Sequence, residues 1–319
     1  MAELWETDEY KVEQMYKNKS LDVIIDDFFS VLLRFYHVPF DLMKPHYLKD
    51  PERMTELELI ENNPWHNVAA KYKGNSFLLS DAETFVCEED LQMINEFNDS
   101  VKKEEYKYKL NLPVYPWYGN PLKAKVIVLS QNPAWNPKQD EIVKDMLIEN
   151  SPSLRGFTDH LRNMLDFKCV GFLPTSKAIE GISPRDLANK HMSFYWQNRL
   201  KGAFVNDDTC LSLDDIIDKF AIIQYVGYSS QKFKPFKKGT MLPSQRYTRQ
   251  LIEYILRHHK DTVFIVPRNV KRWQDFLGDL WSVFSYRFIV GIHYRSQSLK
   301  TMSEIDRNKV INAFRQPMM

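Results

Sequence analysis

A chain of 319 residues is long enough for one large domain or two smaller ones, each with a sizeable buried core. Hydrophobic residues at 44% and charged residues at 27% are an ordinary globular composition, and no apolar run approaches the roughly 20 residues that a membrane-spanning helix needs. The net charge of +1 gives no bulk argument for a polyanionic partner, so any DNA-binding surface has to come from local clustering of Lys and Arg.

The first residues, Met1 to Glu9, are acidic and lack an apolar h-region, which argues against a signal peptide. The expected location is therefore intracellular: cytoplasmic, or nuclear in a eukaryotic cell. Leu21, Ile24, Ile25, Phe28, Phe29, Leu32 and Phe35 recur with helical spacing behind Ser20, a suitable N-cap. Lys44-Pro45-His46 and Asn63-Pro64-Trp65 read as turns, and a second helix is expected from Glu88 to Lys107. Near residue 110 the character changes. Leu112 to Pro121 carries three prolines and cannot be a regular helix, so it reads as an aromatic-rich approach loop.

Ala124 to Ser130 is then a short β-branched run that stops at Gln131-Asn132-Pro133, the pattern of a strand buried on both faces. Three more such runs follow, at 220–225, 262–266 and 287–292. Between them lie helix signals, at Ser183-Pro184-Arg185-Asp186 and at Ser244 ahead of Tyr247, Leu251 and Tyr254 or Ile255. Strands alternating with helices imply parallel pairing and right-handed crossovers. Residues 1–110 are thus read as a mostly helical region and 111–319 as an α/β domain. In open parallel sheets ligands bind outside the carboxyl ends of the strands, so the residues just after each strand matter most. Cys87, Cys169 and Cys210 form no CxxC pair, which argues against structural zinc, an iron–sulfur cluster or a disulfide framework, and no metal or other cofactor is expected.

The strand ends carry a resemblance. Tyr118 to Lys125 leading into Leu129-Ser130-Gln131-Asn132-Pro133-Ala134-Trp135 resembles the first motif of the uracil-DNA glycosylase superfamily, in the style of its mismatch-specific and single-strand-selective branches. There a strand runs into an Asn-Pro-Gly loop; here Ala134 stands where glycine is usual. Tyr225 to Ser230 is similar to the aromatic and hydroxyl residues of divergent members. Gly291 to Leu299 sits where the superfamily places a His-Pro-Ser or Asn-Pro-Ser loop, although it has no proline. The resemblance spans roughly residues 112 to 305. It implies a three-layer α/β/α fold around a four-stranded, mainly parallel sheet, and a metal-independent DNA glycosylase that flips a uracil, mismatched or other modified base.

Cleaving an N-glycosidic bond puts positive charge on the sugar and negative charge on the base. It needs a base pocket, a positioned water and a donor near the base oxygen. By resemblance the water falls to Asn132, whose plainer role is a turn residue before proline. Asp140 is the nearest downstream carboxylate, or simply an acid at a helix start. His293 offers one N–H to the base, or to nearby backbone. Trp135 has the ring to stack on a flipped base, and Tyr225, Tyr228 and Ser229 are pocket-lining candidates; ordinary packing is the alternative for all four. Lys232, Lys234, Lys237 and Lys238 interleave with aromatic residues, and Arg268, Arg295, Ser296 and Ser298 stand on neighbouring loops. These are the candidate DNA contacts, with a solvated charged surface as the alternative. No GxxxxGK[ST], GxGxxG or HExxH pattern occurs, which removes the commonest ATPase, dehydrogenase and metalloprotease readings. Two other readings stay open: a non-catalytic nucleic-acid-binding or sensing protein on the same fold, and a protein-interaction module built on the N-terminal helices.

Overall fold

A computed structural model describes residues 54–71, 85–134, 159, 161–168, 199–205, 209–290 and 299–317. All of them belong to one compact unit, Pro51–Met319. The helix expected over residues 20–35, the helix start at Ser183 and the thiol of Cys169 lie outside the described residues.

The four apolar runs are strands β2 (Val126–Ser130), β3 (Phe220–Gln224), β4 (Val263–Ile265) and β5 (Phe288–Ile289), all parallel to one another. Val126 to Leu129 and Phe220 to Gln224 are buried along their whole length, as β-branched runs in a covered parallel sheet should be. A fifth strand, β1 (Trp117–Tyr118), pairs antiparallel with β3, giving the order β1-β3-β2-β4-β5. The sheet is therefore five-stranded and mostly parallel, where the sequence pattern counts four. The extra strand comes out of the proline-rich approach loop. It is short and at the edge, where a proline is tolerated, and the Pro116 carbonyl accepts a hydrogen bond from Gln224 N at 2.8 Å.

Side chains alternate along strands, so the paired residues Trp117 and Ile223 share one face, and Tyr225 continues it. Trp117 stacks on Phe167 at 4.5 Å and meets Tyr247 of α5 (Pro243–His258). Tyr225 packs edge-on against Trp273 and Phe276 of α6 (Val270–Leu277). Helix α8 (Glu304–Arg315) packs along β2 and β4 and buries Phe314 against Phe204. The apolar positions read for α5, namely Tyr247, Leu251, Tyr254 and Ile255, are all buried.

Two local expectations are corrected. The helix read over 88–107 is α3 (Glu88–Ser100), followed by a separate 3-10 turn at Glu104–Tyr106. The chain doubles back because the Asn98 carboxamide holds both backbone groups of Tyr108, accepting from its N–H at 2.8 Å and donating to its carbonyl at 2.9 Å. Ser244 does not cap α5. The N-cap is Leu242, Pro243 takes the first helical position, and Ser244 N donates instead to Asp90 Oδ1 at 3.0 Å. The cap is thus supplied by the first turn of α3, 154 residues away in sequence.

Candidate functional site at the carboxyl edge of the sheet

The chain leaves β2 for β3 on one side and returns to β4 on the other, so the strand order turns back at β2. The crevice outside the carboxyl ends at such a switch point is where open α/β sheets bind ligands. Three described loops meet this edge: Gln131–Ala134 after β2, Tyr225–Ser230 after β3 and Val266–Asn269 after β4. The first two are zipped together. Tyr225 N donates to Ser130 O at 2.9 Å, Val226 N donates to Gln131 O at 2.8 Å, and Ala134 bridges Ser230.

Asn132 sits inside this zipper. Its Nδ2 donates to Ser230 Oγ at 2.8 Å, to Pro133 O at 3.1 Å and, more weakly, to Tyr228 O at 3.4 Å. Carbonyl oxygens only accept, so the amide is held in one orientation. Its Oδ1, on a half-buried side chain, accepts no hydrogen bond among the described residues. Ser230, not among the sequence candidates, completes the arrangement by donating to Lys232 O at 3.0 Å.

The loop after β3 can lie this close only because residue 227 is glycine. A Cβ there would sit 2.9 Å from the Trp65 ring and 3.1 Å from Pro116 Cα. Tyr228 turns inward beneath the loop and is fully buried against Trp65, with ring centroids 5.5 Å apart. Its hydroxyl donates to Asp90 Oδ2 at 2.7 Å and accepts from Cys87 N at 3.1 Å. It holds the loop from below rather than lining a pocket, and burial pushes its phenol pKa well up. Ser229 is also buried, and its carbonyl accepts from Lys109 N at 2.8 Å. Tyr225 keeps a half-buried ring at the edge, and its backbone carbonyl accepts from Gln245 Nε2 at 3.0 Å. Burial raises its pKa against the opposing pull of Arg272.

The structure adds Gln224, the last residue of β3, paired in register with Ser130. It is 1% exposed, yet its Oε1 has no hydrogen-bond partner. A buried carboxamide oxygen left unpaired costs about 1–3 kcal/mol. The signal for it was in the sequence: a polar residue closes an otherwise apolar strand. Trp135, Asp140, His293, Arg295, Ser296 and Ser298 lie outside the described residues. β5 is parallel to β4, so it too ends at this edge.

No protein-family model matches the chain, and neither a curated protein nor a solved structure matches it.

The site is therefore read from its own geometry. Lys234, Lys237, Lys238 and Arg268 are exposed, while Lys232 is paired with Glu105 at 2.9 Å. Among the described residues no group of three His, Cys, Asp or Glu side chains is placed to hold a metal ion, and no helix is long and apolar enough to cross a membrane.

Proposed function

We propose that the chain is a divergent member of the uracil-DNA glycosylase superfamily with the three-layer fold of that group. In this reading it hydrolyses the N-glycosidic bond of a uracil, mismatched or otherwise modified base flipped out of DNA. The observation that carries the reading is the pair of carboxamides at the carboxyl edge: Asn132, locked through its amide with its oxygen open, and Gln224, buried with its oxygen unpaired.

The chemistry follows from what these groups can do. Asn132 Oδ1 accepts a hydrogen bond from a water and so fixes the direction of that water's lone pair. A carboxamide does not take the proton. Cleavage of the bond between the sugar C1′ and the base nitrogen therefore runs ahead of water attack; the cationic sugar captures the oriented water, and the proton that water loses ends on the departed base anion. The leaving base carries the bonding electrons as an anion and needs a donor at its oxygen. By resemblance the His293 N–H supplies that donor, while the unpaired Gln224 Oε1 accepts from an N–H of the base. Asp140 would stabilise the cationic sugar, and Trp135 and Tyr225 would bound the flipped base.

The test is a panel of single-stranded and duplex oligonucleotides carrying uracil, mismatches and other modified bases, followed by alkaline cleavage of abasic sites. Strand cleavage is expected for at least one member. Asn132→Ala should lower the rate about 100-fold or more while leaving DNA binding measurable. No cleavage on any member overturns the catalytic reading. A second reading, a non-catalytic DNA-binding protein, draws on the same residue: the Asn132 amide also serves to join two loops. Under that reading Asn132→Ala lowers stability and leaves the biological effect intact.

A further inference from the structure

We infer that the face made by residues 231–238 and the first turn of α6 binds an unpaired DNA strand. The inference rests on the DNA partner of the reading above, but not on catalysis.

The acids on this face are already taken: Glu105 pairs with Lys232 at 2.9 Å, Glu104 with Lys107 and Lys109 at 3.0 and 2.8 Å, and Asp275 with Lys271 at 2.6 Å. Lys234, Lys237 and Lys238 are exposed and have no acidic partner among the described residues. Arg272 is a fourth cation with no carboxylate partner among the described residues. Its guanidinium lies 4.8 Å from the centre of the Phe233 ring and 5.9 Å from that of Tyr225. Its Nη1 is buried with no hydrogen-bond partner. Among the described residues, three lysines without an acidic partner thus share this face with the Arg272 guanidinium stacked on Phe233, and this calls for a polyanion.

The stack selects among polyanions. A flat ring layered with a guanidinium offers a surface to an unstacked base, and every base has such a face. Bases in a duplex are already stacked and present mainly phosphates. The loop is also anchored for the purpose. Phe236 stacks on Tyr108 at 5.6 Å and meets Phe97 at 4.6 Å, Tyr108 Oη donates to Lys234 O at 2.9 Å, and Lys232 N donates to Glu105 O at 2.7 Å. The lysines thus project from a fixed backbone. Tyr225, which touches Phe233 edge-on, ends β3 and so joins this face to the carboxyl-edge crevice.

The experiment is fluorescence anisotropy of the full chain with a mixed-sequence 15-nucleotide single strand and with the same sequence as a duplex, between 50 and 200 mM salt. The single strand should bind about ten-fold tighter or more. The slope of log affinity on log salt should be about −3, for four phosphate contacts at about −0.7 each. Replacing Lys234, Lys237 and Lys238 together by Gln should flatten that slope by about 2. Replacing the paired Lys271 by Gln should change it far less. Phe233→Ala should weaken single-strand binding about five-fold or more with little effect on the duplex. These side chains are exposed or half-exposed, and a near-ultraviolet circular dichroism spectrum matching the wild type confirms the fold of each variant. Equal or tighter binding of the duplex, or an unchanged slope in the triple variant, overturns the inference. Base release is measured separately, so a chain that binds the single strand in this way but releases no base removes the catalytic reading and leaves this one standing.

Discussion

Asp90 and Gln224 are polar side chains buried to the same degree, 0% and 1% exposed, and they differ in everything else. Asp90 is fully engaged: one oxygen accepts from Ser244 N, the other from the Tyr228 hydroxyl. It joins the start of α3, the start of α5 and the loop after β3. Burial raises its pKa, while hydrogen bonds from Ser244 and Tyr228 oppose that rise. The Gln224 oxygen has no partner at all. A buried polar group whose bonds are all met by the protein belongs to the architecture. One left unmet at a strand end, on the edge where open α/β sheets bind ligands, is the group that the proposed function gives to the flipped base.

The largest effect expected from this contrast is at Asp90. Asp90→Ala leaves a buried backbone N–H and a buried hydroxyl without acceptors, at about 1–3 kcal/mol each, so a loss of about 2–6 kcal/mol is expected in urea unfolding. Asp90→Asn keeps an acceptor for Ser244 N and should cost markedly less. Equal losses for the two variants would break the assignment of Asp90 as a tie between helices.

The second effect concerns His259, the residue after α5, which is 6% exposed with Nδ1 unpaired. Burial, then the nearby His258, Lys125 and Arg287, lower its pKa from 6.5 to about 4. The unfolded chain therefore binds this proton more readily. The stability is fully present above about pH 6.5 and is lost as pH falls toward about 4, by an amount on the order of 1–3 kcal/mol. Replacing His259 by Phe should flatten the stability profile across that window relative to the wild type. This orphan differs from Gln224 because the ring meets the demand of its surroundings by staying neutral. Arg287 beside it is satisfied by three carbonyls, those of Leu256, His259 and Thr262.

The smallest stability effect is expected at Gln224. Gln224→Leu removes no hydrogen bond from its oxygen, so the unfolding midpoint should stay within about 1 kcal/mol of wild type or rise, while base release falls. A loss of several kcal/mol would place Gln224 with Asp90 and end the distinction.

The parts of this architecture that were legible in the sequence are those fixed by local pattern. The runs read at 124–130, 220–225, 262–266 and 287–292 are β-branched, apolar and bounded by turns, and each contains a strand of the parallel sheet, at 126–130, 220–224, 263–265 and 288–289. β1 has two residues and lies among prolines, so it has no period to read; only its pairing with β3 makes it a strand. The cap of α5 was misread because Ser244 looks like a local cap, while the acceptor that matters sits on α3. At the candidate site, the position of Asn132 at the carboxyl edge was legible from its place after the apolar run that forms β2. Tyr228 was not, because nothing local says that its hydroxyl would be claimed by Asp90 from below. Gln224 and Ser230 were in view as letters, but their roles depend on which partners the fold brings to them and which it withholds.

The most direct measurement follows the Gln224 side-chain amide itself. In a chain labelled with ¹⁵N at glutamine, its resonance can be assigned by its absence from Gln224→Leu, and then titrated with a single-stranded oligonucleotide carrying a uracil or another modified base. A saturable shift of that resonance, with the same dissociation constant as DNA binding and absent for an oligonucleotide with an abasic site in place of the base, is the predicted result. DNA binding that saturates while the Gln224 resonance stays in place would contradict the account.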